Sequence, residues 1–232
     1  MSEPGGIESA KRGLRTKVRD ALSAMTPIER AEQSRAACEH LASSDAFVRA
    51  RTVMLFAPIA PEIDAWPLLT TAMRAGKRAC LPRIDWDART MRPAEVVLRE
   101  DERRAALDAG SDGMRIGEVM ERNLAMHRHG ILEPASDAPR APLEELDLVV
   151  VPGVAFDRDG GRLGRGGGFY DRFLDEVLAA WDAADAGADR LVCGIAFDPQ
   201  IMGENERVPG AAHDVRVDAL ATPGGVLRFR IG

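Results

Sequence analysis

Apolar residues recur every three to four positions at Leu14, Val18, Leu22 and Met25, which gathers them on one face of a helix. Thr26-Pro27-Ile28-Glu29 then carries the pattern of a capping box with proline at the first helical position, opening a second helix toward Leu41. Val53-Met54-Leu55-Phe56 is a short apolar run bounded by turn chemistry and predicts a buried strand. Asp64 is the expected cap of a helix that carries Leu68, Leu69 and Met73 inward and stops at Gly76. Ala79-Cys80-Leu81-Pro82 is the next strand, so the order is strand, helix, strand and favours a parallel sheet under covering helices. The most hydrophobic segment, Leu146-Asp147-Leu148-Val149-Val150-Val151-Pro152-Gly153, predicts a central strand covered on both faces. Leu191 to Phe197 and Val217 to Thr222 read as two more strands. Residues 99–127 hold the mixed charge run Arg99-Glu100-Asp101-Glu102-Arg103-Arg104 and no clean period, which predicts a solvated helix or a surface excursion. With no repeat and no long linker, residues 1–232 are expected to form one domain.

Length and charge narrow the class. A fold of 232 residues removes roughly 70–75% of its unfolded surface from water and needs no staple. Hydrophobic residues make up 45% and charged residues 29%, too apolar a mixture for general disorder. Lys+Arg at 31 against Asp+Glu at 37 gives a net charge of −6, the wrong sign for a sequence-independent nucleic-acid binder. No run approaches the ~20 apolar residues of a membrane span. The opening Met1-Ser2-Glu3-Pro4-Gly5-Gly6 lacks a basic and an apolar secretory region. Cys38, Cys80 and Cys193 are scattered and odd in number, which excludes a disulfide framework and suits a reducing cytoplasm. Three lysines, Lys11, Lys17 and Lys77, and a single tyrosine, Tyr170, stand out against a background of dispersed arginines.

Chemistry concentrates in Gly160-Gly161-Arg162-Leu163-Gly164-Arg165-Gly166-Gly167-Gly168-Phe169-Tyr170-Asp171. The stretch follows the central strand and enters an amphipathic helix with Phe173, Leu174, Val177 and Leu178. Glycines between a strand end and a helix N-terminus expose backbone N–H groups beside the positive end of the helix dipole, which is an anion site. Arg162 and Arg165 add guanidinium forks that fit phosphate oxygens. A Walker A loop is excluded, because no lysine follows the glycines, and the dinucleotide fingerprint fails at Phe169. A plain connector would be Gly/Ser-rich instead of carrying arginines and an aromatic pair. Asp171 sits where phosphates would rest, although a first-turn acid also pairs with the helix dipole; Asp214 precedes the last strand and could converge on the same sheet edge. Two carboxylates with phosphate oxygens and water are an accepted Mg²⁺ environment.

Val151-Pro152-Gly153-Val154-Ala155-Phe156-Asp157 followed by Gly161 through Leu174 closely resembles the signature of the 5-formyltetrahydrofolate cyclo-ligase family, also called methenyltetrahydrofolate synthetases. Lys11-Arg12-Gly13-Leu14-Arg15, Phe56-Ala57 through Glu62-Ile63-Asp64, Gly76-Lys77, Leu81-Pro82-Arg83, Gly130-Ile131-Leu132-Glu133-Pro134 and His213-Asp214-Val215-Arg216-Val217-Asp218 follow in that family's order. The resemblance implies an α/β fold: a mainly parallel central sheet with helices on both faces, like the sugar-phosphate isomerase and CoA-transferase group. It implies ATP-dependent closure of 5-formyltetrahydrofolate to 5,10-methenyltetrahydrofolate. Lys11 and Arg15 would then reach the ATP phosphates, and Arg162, Leu163, Gly164, Arg165, Gly166, Gly167, Gly168, Phe169 and Tyr170 would cradle them, with Arg162 and Arg165 stabilising charge. Asp171 and Asp214 would hold Mg²⁺. Ala57, Glu62, His129, Phe169 and Tyr170 would face the folate, Glu62 accepting from adjacent pterin N–H groups.

The chain departs from that pattern at Phe169, where many members carry a second tyrosine, and at His129, where an aromatic is common. Segment 99–127 is longer than the family's usual connection. The expected partners are ATP and a reduced folate, with no nucleic acid and no membrane, and the protein is expected to be a cytoplasmic monomer. An ATP-binding homologue with another substrate, or with a regulatory role in one-carbon metabolism, stays open. An RNA-binding module is opposed by the acidic balance and the single tyrosine.

Overall fold

The computed structural model describes residues 4–97, 124–126, 130–184, 190–210 and 214–229. Three helices lead: α1 (Pro4–Ala24), α2 (Pro27–Ala42) and the short α3 (Asp45–Arg49). The Thr26 capping box forms as the sequence predicts: Thr26 Oγ1 accepts from the Glu29 amide at 3.2 Å, and Glu29 Oε2 accepts from the Thr26 amide at 2.7 Å. Strand β1 (Thr52–Met54), α4 (Trp66–Arg74) and β2 (Arg78–Asp85) make the first strand–helix–strand unit. Here the expected cap is displaced by one residue. Ala65 is the N-cap, while Asp64 stands before it and accepts from the Trp66 amide at 3.0 Å.

Next come β3 (Thr90–Glu95), β4 (Leu124–Met126), β5 (Leu132–Pro134), β6 (Leu148–Val151), and the two-residue strands β7 (Ala155–Phe156) and β8 (Arg162–Leu163). Helix α5 (Phe169–Ala183), β9 (Leu191–Ile195), β10 (Ala219–Thr222) and β11 (Gly225–Arg228) complete the described chain. The principal sheet runs β11-β10-β9-β6-β1-β2-β3. Its five inner strands are parallel, with Val53 opposite Leu148 and Val149 opposite Val192. Both edges are antiparallel additions, β3 on β2 and β11 on β10. The sequence reading had neither: Thr90-Met91-Arg92-Pro93-Ala94-Glu95 is too polar and too close to a proline to announce a strand.

Helices cover both faces, as expected. Alternate residues Leu148 and Val150 of β6 pack with Leu41 of α2 and Leu68 and Leu69 of α4. Val149 and Val151 pack instead with Phe173, Leu174, Val177 and Trp181 of α5. Each face of the central strand is therefore buried, which explains its unbroken apolar run. Of the excursion at 99–127, Leu124–Met126 form a short strand paired with β5 instead of a helix; the remainder lies outside the described residues.

Strand order places the site. From β1 the chain moves outward to β2, then returns to β6 on the other side of β1 and continues to β9 and β10. The crevice between the C-terminal ends of β1 and β6 is thus a topological switch point, where open α/β sheets bind their ligands.

Candidate active site

A cleft of about 1500 Å³ opens at that switch point. Phe56, Ala57, Pro58, Ile59 and Glu62 line it after β1, and Pro152 and Gly153 line it after β6. The glycine-rich segment closes one side. Its first part differs from the expected continuous loop: Arg162 and Leu163 form β8 and pair with Phe156 and Ala155 in a tight hairpin. The turn of this hairpin is tied down by Asp157, a buried carboxylate accepting from the amides of Asp159 (2.9 Å), Gly161 (2.8 Å) and Val208 (2.9 Å). The loop proper is residues 164–168. Gly166 and Gly168 take φ of 104° and 66°, conformations that a side chain disfavours, and Gly168 is the N-cap of α5. The open N-terminus of α5 therefore faces the cleft beside Arg162 and Arg165.

Four cations converge there, each on an oxygen acceptor. Lys11 Nζ donates to Asp214 Oδ2 at 2.8 Å, with the lysine side chain only 11% exposed. That places it in the site instead of on a solvated helix face. Arg15 Nε donates to the Gly164 carbonyl at 3.0 Å. Arg162 Nη2 donates to Asp171 Oδ1 at 2.5 Å, and its guanidinium lies 5.7 Å from the Tyr170 ring centroid. Its Nε is buried without a hydrogen-bond partner among the described residues. Arg165 Nη2 meets Glu62 Oε1 at 3.0 Å across the cleft. The structure therefore brings together Lys11, Arg15, Ala57, Glu62, Arg162 to Asp171, and Asp214. His129 lies outside the described residues.

Burial governs the electrostatics. It raises the Glu62 carboxyl above its ordinary value, with Arg165 and the Ile59 amide pulling the other way. The Tyr170 hydroxyl is raised first by burial and then by the Glu62 charge, with Arg162 opposing, so it stays protonated. Asp171 and Asp214 both line the cleft and offer hard oxygens. Among the described residues no group of three or more His, Cys, Asp or Glu forms a ready-made metal cage. Two carboxylates suit a cation such as Mg²⁺, which takes most of its other oxygens from substrate phosphates and water. The donor set fits.

The sequence reading missed the apolar wall. Trp66, Pro82, Ile84, Trp86, Met91 and Leu132 also line the cleft. Trp86 meets Phe169 edge to face at 5.4 Å between centroids. Its only sequence signal is position: a tryptophan between Asp85 and Asp87, in a turn too polar to bury it locally.

Fold and cleft together define an α/β protein with a glycine loop beneath a cluster of cations and an aromatic wall at the sheet's switch point. The model of the 5-formyltetrahydrofolate cyclo-ligase family matches residues 7–223, and the chain belongs to that family. It is 31% identical to the 5-formyltetrahydrofolate cyclo-ligase of Escherichia coli (strain K12), over 90% of this chain and 98% of that one. It is 30% identical to the mitochondrial 5-formyltetrahydrofolate cyclo-ligase of Arabidopsis thaliana, over 98% of this chain and 79% of that one. The solved structure of Aquifex aeolicus 5,10-methenyltetrahydrofolate synthetase superposes with a TM-score of 0.71 at 29% identity, covering 96% of this chain and 94% of that one.

Proposed function

We propose that this protein closes the ring of 5-formyltetrahydrofolate to 5,10-methenyltetrahydrofolate at the expense of ATP, releasing ADP and phosphate. The observation that carries the reading is the convergence of Lys11, Arg15, Arg162 and Arg165 with the α5 N-terminus on one cleft that also has an aromatic wall. One side of the cleft suits a polyphosphate and the other a flat heterocycle. A formamide oxygen is a poor leaving group. Transfer of the γ-phosphoryl group to it, with the bond to ADP breaking, converts it into a good one. N10 then attacks the formyl carbon, and the C–O bond breaks as phosphate leaves with the N10 proton.

The chain's part is positioning and charge neutralisation. Lys11 and Arg15 exchange Asp214 and the Gly164 carbonyl for phosphate oxygens. Arg162, fixed between Asp171 and the Tyr170 ring, is pre-aimed and so loses little freedom when it binds the transferring group. Glu62 accepts from paired N–H donors of the pterin once Arg165 turns to phosphate. Phe169 and Trp86 exclude water from one side. Asp171 and Asp214 would hold Mg²⁺, which when bound offsets phosphate charge. The test is the near-ultraviolet absorbance of the methenyl product, with ATP omitted as control. An ATP-dependent rise supports the reading. Nucleotide binding with no rise would sink it and favour a homologue acting on another substrate.

A further inference from the structure

The β2–β3 hairpin and the glycine loop belong to different parts of the chain, yet one side chain joins them. Arg172, in the first turn of α5, donates from Nε to the Arg89 carbonyl at 3.0 Å and from Nη2 to the Gly167 carbonyl at 3.1 Å. Its guanidinium carbon also lies 5.6 Å from the centroid of Phe169, whose ring meets Trp86. Both carbonyls sit at turns with left-handed backbone: Arg89 has φ of 53°, and Gly168, next to Gly167, has φ of 66°. An arginine at positive φ holds that conformation only where its surroundings fix it. The hairpin tip has two such fixings. Asp85 Oδ1 accepts from the amides of Asp87 and Ala88 at 3.1 and 2.9 Å, and Arg172 holds the Arg89 carbonyl from outside. Arg172 itself is exposed and is not among the residues lining the cleft.

We propose that Arg172 is a positioning residue: it clamps the glycine loop to the hairpin that presents Trp86, so that occupation of the loop by phosphates is transmitted to the aromatic wall. The inference rests on the reading of residues 164–168 as the phosphate loop. A guanidinium suits the task because its planar fork reaches two carbonyls at once while its face stacks on a ring. A lysine keeps the charge but gathers its three donors on one nitrogen and has no planar face to stack, so its effect lies between arginine and alanine.

The experiment titrates Mg²⁺ and a non-hydrolysable ATP analogue into the full-length protein and records tryptophan emission. The Trp86 contribution is the part of the change absent from Trp86→Phe. The parent gives a Trp86-dependent change. In Arg172→Ala that change is lost although nucleotide still binds by calorimetry, the KM for Mg·ATP rises about fivefold, the loss expected for one or two ordinary hydrogen bonds, and kcat moves less than about twofold. Arg172→Lys restores part of the response. A full Trp86 response in Arg172→Ala would overturn the proposal, as would a loss of activity that merely follows a fall in Tm. So would a parent that binds nucleotide with no Trp86 signal. A parent that bound no nucleotide would overturn the phosphate reading beneath it as well, so the two failures are distinguishable.

Discussion

Glu62 and Arg165 occupy each other across the cleft, and in the proposed reaction each meets a different ligand. If both release for binding, removing one should free the other. Replacing Glu62 by glutamine keeps the shape and one acceptor oxygen, which the Ile59 amide can hold, turns the other oxygen into a donor, and deletes the charge. At 3.0 Å two unit charges attract by about 5–6 kcal/mol at an effective dielectric constant of 20, and by about 1.4 kcal/mol in bulk water. The Arg165 side chain is 50% exposed, although Glu62 is 12% exposed, so solvent screening holds the pair near the lower figure. Ordering two long side chains offsets part of that, leaving about 1 kcal/mol, or about fivefold in a binding constant. Glu62→Gln is therefore expected to bind Mg²⁺ and a non-hydrolysable ATP analogue about fivefold more tightly than the parent, while its use of folate falls. Calorimetry on the parent, Glu62→Gln, Arg165→Ala and the double variant closes the cycle. In the Arg165→Ala background, Glu62→Gln should change nucleotide affinity hardly at all. Unchanged or weaker nucleotide binding by Glu62→Gln, or an equal tightening in both backgrounds, would refute the exchange.

Other expectations follow from residues already placed. Because burial raises the Glu62 carboxyl, the folded chain holds that proton more tightly than the unfolded one; stability from this group is full below the ordinary value of 4.5 and is lost as pH rises through the raised value. Glu62→Gln should flatten that part of a Tm-against-pH profile, and an unchanged slope would contradict the assignment. Asp157→Ala strands three backbone amides and is expected to lower stability by about 3 kcal/mol in urea unfolding; a loss below about 1 kcal/mol would mean water replaces the carboxylate. Gly194→Ala would bring a methyl to 2.5 Å from Phe156 and 2.9 Å from Leu220 in the core, and should cost about 2 kcal/mol or more by the same measurement. Burial pushes Cys38, Cys80 and Cys193 up to about 12, so the native protein should resist a thiol reagent at pH 8 and react at all three only when unfolded.

The parts of the molecule that were legible in the sequence are those whose signal is local. Thr26 and Glu29 cap a helix three residues apart, and Leu148 to Val151 announce a buried strand by composition alone. The glycine segment was legible because so many glycines mixed with arginines signal tight backbone beside fixed positive charge. Pairings were not. Nothing in the sequence joins Glu62 to Arg165 or Arg172 to Arg89, since these contacts exist only through strand order. Lys11 illustrates the same point, because a helix pattern alone leaves it in solvent and the fold buries it against Asp214. Edge strand β3 was missed for an opposite reason: among the described residues, beyond it lies only the isolated bridge of Ala94 with Arg140, so Thr90, Arg92 and Glu95 are polar and no apolar run announces it.

The seat of α1 has a consequence for how the protein is made. Val18 and Leu22 are buried, and the helix's polar anchors are Gly164 and Asp214, which lie 149 and 203 residues from the side chains that reach them. A chain leaving the ribosome grows by roughly 5–20 residues each second, so the first helix emerges on the order of ten seconds before its anchors exist. During that interval its apolar stripe is uncovered and open to chaperones or to other nascent chains. The Lys11 side of the cleft, where nucleotide binding is proposed, is completed last, so an unfinished chain has no complete site through which a ligand could stabilise it.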